Sequence, residues 1–373
     1  MKTSNKLDFS SPEAFAASLE NLRSKIYSRK ECEAKNHISE CRGTIIKSHS
    51  ISRKFLKMIA DDKMRVYCFD NRLFGLIERN GEAGVVEVGC NQASTYQMFC
   101  GHHDNELFLP IEGNNELIPD EHQCLRLMYR ALMMEKYLKE SQVAYFEDFI
   151  RQKDEFRQHG VDMVDWQYYH EMLQGALMAI RDFEGINANI TSDIKSNNLS
   201  NLRALRIYFR KKPGFLCAGA LHAMSNYNGM YLTALQSSQP ISDILSINLL
   251  PLTGKRSDNG VAILAWRDCG KESDSQKFVD SIHSIPMDKI SNTLIHSAFE
   301  YVENICMNPS WWDSRPKEVK KIILGLNQTY LQLPTDWHQI TVEYDNWHAT
   351  HAEMWNGQQW ENFTFATTQE NEA

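Results

Sequence analysis

The stretch Phe99-Cys100-Gly101-His102-His103-Asp104-Asn105-Glu106-Leu107-Phe108 decides how the first third of this chain folds when it is read with Cys41-Arg42-Gly43-Thr44-Ile45-Ile46-Lys47-Ser48-His49. Cys100-x2-His103 is a compact ligand pair, because a turn of that length aims both side chains at one point. Cys41 and one of Cys32 or His37 can complete a set of four. Zinc takes thiolate and imidazole tetrahedrally and makes no other geometric demand. The expected ligand set for a structural Zn²⁺ is therefore Cys32, Cys41, Cys100 and His103, with His37 as the alternative to Cys32. His49 stands eight residues beyond Cys41. It lies outside that set and is free to act as a base near neutral pH.

Outward from this stretch the pattern predicts a small α+β module over 1–115. Residues 11–30 read as an amphipathic helix, with Ser10 or Ser11 as cap, Pro12 in the first turn, and Phe15, Leu19, Leu22 and Ile26 at helical spacing. A short strand follows over 44–49. A helix over 53–60 is capped by Ser50 or Ser52, and strands are expected at 65–69 and 84–88, with 73–77 pairing between them. The helix after the Cys-x2-His pair is expected to stop at Pro110.

Residues 116–190 read as helical and 187–201, rich in Asn and Ser, as a linker. A mixed α/β domain is expected over 200–360. Its strands fall near 204–209, 215–221, 244–250 and 261–266, and its helices at 290–306 and 317–324, the latter ended by Gly325. The polar segment 361–373 reads as a disordered tail. The fold class is thus α+β: a zinc-stabilised treble-clef or ββα module, a helical middle and a mixed α/β C-terminal domain.

Composition limits the function classes. No run approaches the ~18–20 apolar residues of a membrane span, and mean hydropathy is −0.46. The polar first twelve residues lack the apolar core of a secretory signal. Nine cysteines without framework spacing read as reduced thiols in the cytoplasm. Net charge is −8, yet residues 1–60 carry 12 Lys/Arg against 6 Asp/Glu. That basic segment adjoins the ligand residues and could meet phosphates; the competing reading is a solvated helix surface.

The order Cys41, then Ile45 to His49, then Asn91, then Phe99 to Asp104 resembles the HNH, or His-Me finger, nucleases over roughly residues 30–112. The resemblance implies a zinc-bound scaffold and a strand ending in the base His49. It also implies that Asn91 orients that imidazole and that Asp104 holds a catalytic Mg²⁺ or Mn²⁺. The partner would then be DNA or RNA, and such nucleases with an appended domain are common in bacterial antiviral defence. Two positions depart from the family pattern. Ser48 stands where an acidic residue or second His is common, and Asp104 stands where His is usual. The insertion of 41 residues between His49 and Asn91 is also long.

A competing class is a non-catalytic, zinc-stabilised binding or scaffold protein whose C-terminal domain recognises a protein partner. The other clusters read as structure. Arg203, Arg206, Arg210, Lys211 and Lys212, interleaved with Tyr208 and Phe209, are expected on an edge strand with solvated charges. Trp337, Trp347, Trp355 and Trp360 are expected to pack.

Overall fold

The computed structural model describes residues 7–35, 38–70, 75, 79, 81–113, 118–161, 164–232, 243–270, 273–328 and 336–367. In chain order the elements begin with α1 (Pro12–Ile26), β1 (Ile45–His49), α2 (Arg53–Ile59), β2 (Arg65–Phe69), β3 (Val85–Gly89), β4 (Thr95–Cys100) and α3 (Gly101–Glu112). Then come three helices, α4 (Glu121–Arg151), α5 (Lys153–Gln158) and α6 (Trp166–Ser196), and four strands, β5 (Leu202–Phe209), β6 (Phe215–Leu221), β7 (Leu245–Pro251) and β8 (Gly260–Arg267). The chain continues with α7 (Asp274–Asp280), α8 (Met287–Tyr301), β9 (Ile305–Met307), α9 (Pro309–Asp313), α10 (Lys317–Gln328), β10 (Ala349–Trp355) and β11 (Trp360–Phe363).

Nine strands form one antiparallel sheet in the order β11-β10-β5-β8-β7-β6-β9-β2-β3. Its central strands are apolar on both faces because both faces are covered. Along β8, Val261, Ile263 and Ala265 enter one core, and Ala262, Leu264 and Trp266 enter the other. This is the period-two alternation of a strand with a helical layer on each side. The first core also takes in α4, parts of α6, and the side chains around the β1–β4 ribbon. The second is closed by α8, α10 and the tryptophans Trp311, Trp312 and Trp347. Among the described residues no helix is long and apolar enough to cross a membrane.

β1 and β4 make a separate two-stranded ribbon, with Ile45 opposite Cys100 and His49 opposite Thr95. α3 starts where β4 ends, with Cys100 as its N-cap, so the ribbon and helix form a ββα unit. α2, β2 and β3 are inserted between the two ribbon strands, and β2 and β3 lie at one edge of the large sheet, joined to it through β9.

Several expectations change. α6 runs to Ser196, through most of the segment read as a linker, because Ile186 and Ile190 keep helical spacing and are buried; Asn197 ends it at φ 54°. α3 continues past Pro110 to Glu112. The segment 290–306 is a helix to Tyr301 followed by the short strand β9, and α10 runs through Gly325.

β5 is interior, between β10 and β8, and its charges are neutralised locally. Arg206 bonds Glu353 at 2.7 Å and stacks on Trp360 at 3.4 Å, while Arg203 pairs with Asp268. β11 places 360–363 in the sheet rather than in a tail; the rest of that tail beyond 367 lies outside the described residues, as do His37 and, Gly75 apart, the strand expected at 73–77.

Candidate metal centre and the polar cluster beside it

Cys32, Cys41, Cys100 and His103 come together, their ligand atoms all within 4.8 Å of one another. The sulfurs of Cys32, Cys100 and Cys41 lie 3.2, 3.4 and 3.7 Å from His103 Nδ1. Metal–sulfur bonds of about 2.3 Å and metal–nitrogen bonds of about 2.0–2.1 Å set the S···N edges of a tetrahedron near 3.5 Å. The cluster has the size and donor set of such a centre, and these four side chains could hold a metal ion.

Local structure brings each ligand in. The α3 start supplies Cys100 and His103 three residues apart, both buried. The loop carrying Cys32 is tied to β4 by Glu33 N–H donating to the Met98 carbonyl at 2.8 Å. It is tied to α4 by the buried Glu33 carboxylate, which pairs with Arg29 at 2.7 Å and Lys136 at 2.8 Å. The Cys100 amide donates to Cys32 Sγ at 3.3 Å. Cys41 is the one exposed ligand.

The electrostatics suit cation binding. Burial lowers the His103 pKa, with the neighbouring His102 adding to the effect, so the ring is neutral and its nitrogen can ligate. Burial pushes the Cys32 thiol up to about 12. For Cys100, burial is outweighed by the amides of His103, Arg42 and His102 together with the Cys32 thiol, and its pKa falls. Burial raises the Cys41 thiol as well, so binding of a metal ion at these thiols would release their protons.

Ser39, which the spacing argument did not find, orients the histidine. With Nδ1 as ligand, Nε2–H donates to Ser39 Oγ at 3.0 Å, and that hydroxyl donates to Glu106 at 3.2 Å. Such outer partners fix the tautomer and ring plane of a ligating imidazole.

Next to the ligand cluster is a second group. His49, at the end of β1, and Asp104, in the first turn of α3, are close enough to act on each other's charge, 55 positions apart in sequence. Arg130 of α4 and Glu112 act on both and pair with each other at 2.7 Å, with Arg130 stacked on Phe108 at 3.8 Å. His49 Nε2–H donates to the Cys90 carbonyl at 3.0 Å, which leaves the ring's lone pair on Nδ1. Burial lowers the His49 pKa and raises that of Asp104.

Ser48 lies beside Asp104 and favours its anion. In this group Ser48 Oγ, Asp104 Oδ1 and Arg130 Nε are buried and have no hydrogen-bond partner among the described residues. Three such groups side by side could be met by a polar ligand or ion. Asn91 is exposed in the turn after β3, beside Cys90, and among the described residues no hydrogen bond joins it to His49.

No protein family, curated protein or solved structure matches this chain. The geometry of the two clusters therefore carries the functional reading.

Proposed function

We propose that the chain is a metal-dependent HNH-like endonuclease, with a structural zinc at Cys32, Cys41, Cys100 and His103. The observation that supports this most is that one ββα unit carries His49 at the end of β1 and Asp104 in the first turn of α3, next to the ligands Cys100 and His103. Three thiols and one imidazole at tetrahedral spacing favour zinc over harder cations. Thiolate ligands also require reduced cysteines, which suits the cytoplasm.

In this reading His49 is the general base. Its Nε2–H is held by the Cys90 carbonyl, and its neutral Nδ1 accepts the proton of a water whose oxygen attacks phosphorus. The phosphorus–oxygen bond to the leaving strand end breaks as the new one forms. Asp104, the orphaned hard ligand, would hold Mg²⁺ or Mn²⁺, which supplies positive charge to the departing oxygen when bound. Asn91 contributes through its turn, whose Cys90 carbonyl positions the ring. Nucleic acid is the substrate class, with DNA and RNA both open, and a protein partner would be met through the C-terminal domain.

The test is cleavage of plasmid, duplex and single-stranded substrates with Mg²⁺ or Mn²⁺. Loss of a general base costs about 10²–10⁴-fold, so His49→Ala should keep its fold and zinc and lose cleavage by that factor. A His49→Ala protein that cleaves like the parent, or a zinc-loaded parent that cleaves nothing, defeats the reading.

A further inference from the structure

We propose that the insertion between β1 and β4 builds a cleft for the sugar–phosphate backbone of a nucleic-acid strand, gripped by Arg53, Lys57 and Lys63. A cavity of about 560 Å³ opens there, lined by those three residues together with Met64, Arg65 and Asn91, among others. Arg65 is already neutralised by Glu87 at 2.6 Å. Arg53, Lys57 and Lys63 are exposed, and among the described residues none makes an ion pair.

Their placement is built by the fold. Arg53 and Lys57 are four residues apart on α2 and share one face. Lys63 sits in a turn pinned by the Asp61 carboxylate, which accepts the amides of Lys63 at 3.0 Å and Arg65 at 2.8 Å. Met64 holds φ 59°, a left-handed conformation unusual for its type, with its carbonyl bonded by the Cys90 amide at 3.0 Å. Backbone held this way tends to mark functional surfaces, and Met64 presents an apolar side chain, 53% exposed, to the cleft.

Cations are concentrated here on a chain whose net charge is −8. Three unneutralised cations from two elements in one concavity suit a ligand with several phosphates rather than one. The cleft also reaches the proposed chemistry. Cys90 lines it, and the Cys90 carbonyl accepts the His49 hydrogen bond on its other side. The inference rests on the nuclease reading only for the direction in which the strand would run, toward His49; binding by the cleft stands separately.

The experiment measures anisotropy of labelled 20-residue single-stranded DNA, duplex DNA and RNA with zinc-loaded protein and no added Mg²⁺, from 50 to 200 mM salt. Three phosphate contacts imply that the fourfold salt rise weakens binding roughly 20-fold for single strands and roughly 40-fold for duplex. The strand class with the stronger binding identifies the substrate. Arg53→Ala/Lys57→Ala/Lys63→Ala should lose that salt dependence, and each single change should reduce the log–log slope by about 0.7–0.9. Unchanged affinity and slope in the triple variant, no binding by the parent in any arm, or complete displacement by millimolar inorganic phosphate would each overturn the cleft. Cleft-dependent binding by a protein that cleaves nothing once Mg²⁺ or Mn²⁺ is added would instead leave the cleft standing and sink the nuclease reading.

Discussion

Cys100→Ser is the sharpest perturbation of the metal centre. Cys100 is fully buried, 3.4 Å from His103 Nδ1, and its amide is bonded to Cys32 Sγ. Exchanging sulfur for oxygen changes the packing little but removes a soft ligand from a cluster whose remaining members cannot close a tetrahedron. A metal present at a thousand times its dissociation constant adds about 4 kcal/mol to folding stability. The shift of the melting midpoint per kcal/mol falls with size and is about 2–4 °C at 150–250 residues, so in this 373-residue chain the variant should melt below the parent by at most roughly 8–16 °C. Differential scanning calorimetry with and without a strong chelator, alongside elemental analysis, checks this. The parent should carry about one zinc per chain, and chelation should bring its midpoint down to that of the variant. A variant that keeps a full complement of metal, or a parent whose midpoint ignores the chelator, refutes the argument.

Ser39→Ala should weaken metal binding by about 10–100-fold while leaving the four ligands in place; competition with a chromogenic chelator measures it, and unchanged affinity would show that Ser39 does not orient His103. His296 supplies a pH prediction. Burial lowers its pKa to about 4, and its Nδ1 is bonded to the Tyr344 hydroxyl at 2.8 Å. The unfolded chain takes up this proton near pH 6.5 and the folded chain only near 4, so the stabilisation is full above pH 6.5 and is lost as pH falls through that window. The side chain is 14% exposed, and the shift corresponds to about 3 kcal/mol. Urea midpoints of His296→Gln should therefore fall less steeply between pH 7 and 4 than those of the parent; parallel curves would count against it.

Local chemistry was readable without the fold. The apolar runs that became β5 to β8 were legible because strands covered on both faces need apolar side chains on both. The ligand types Cys-x2-His and Cys41 were legible because few other residues bind a soft metal. Where expectation and structure part, a tertiary effect outweighs a local preference. The Asn and Ser residues of 187–196 disfavour helix, yet burial of Ile186 and Ile190 against the core extends α6. β9 has three residues, too few for periodicity to register, yet it joins β2 to the C-terminal strands. Spacing left Cys32 and His37 as alternatives, and the hydrogen-bonded loop at Glu33 brings Cys32 to the other ligands.

Ser39 and Arg130 could not be read at all, since partners that act through another side chain obey no spacing rule. Sequence by itself determined the apolar strands β5 to β8 and the donor chemistry, because both follow from side-chain type at short range; β4, β9, β10 and β11 were not read from it. Only the tertiary structure decided which donors meet, because Cys32 and Cys41 reach Cys100 and His103 through strand pairing and helix packing between residues far apart in the chain.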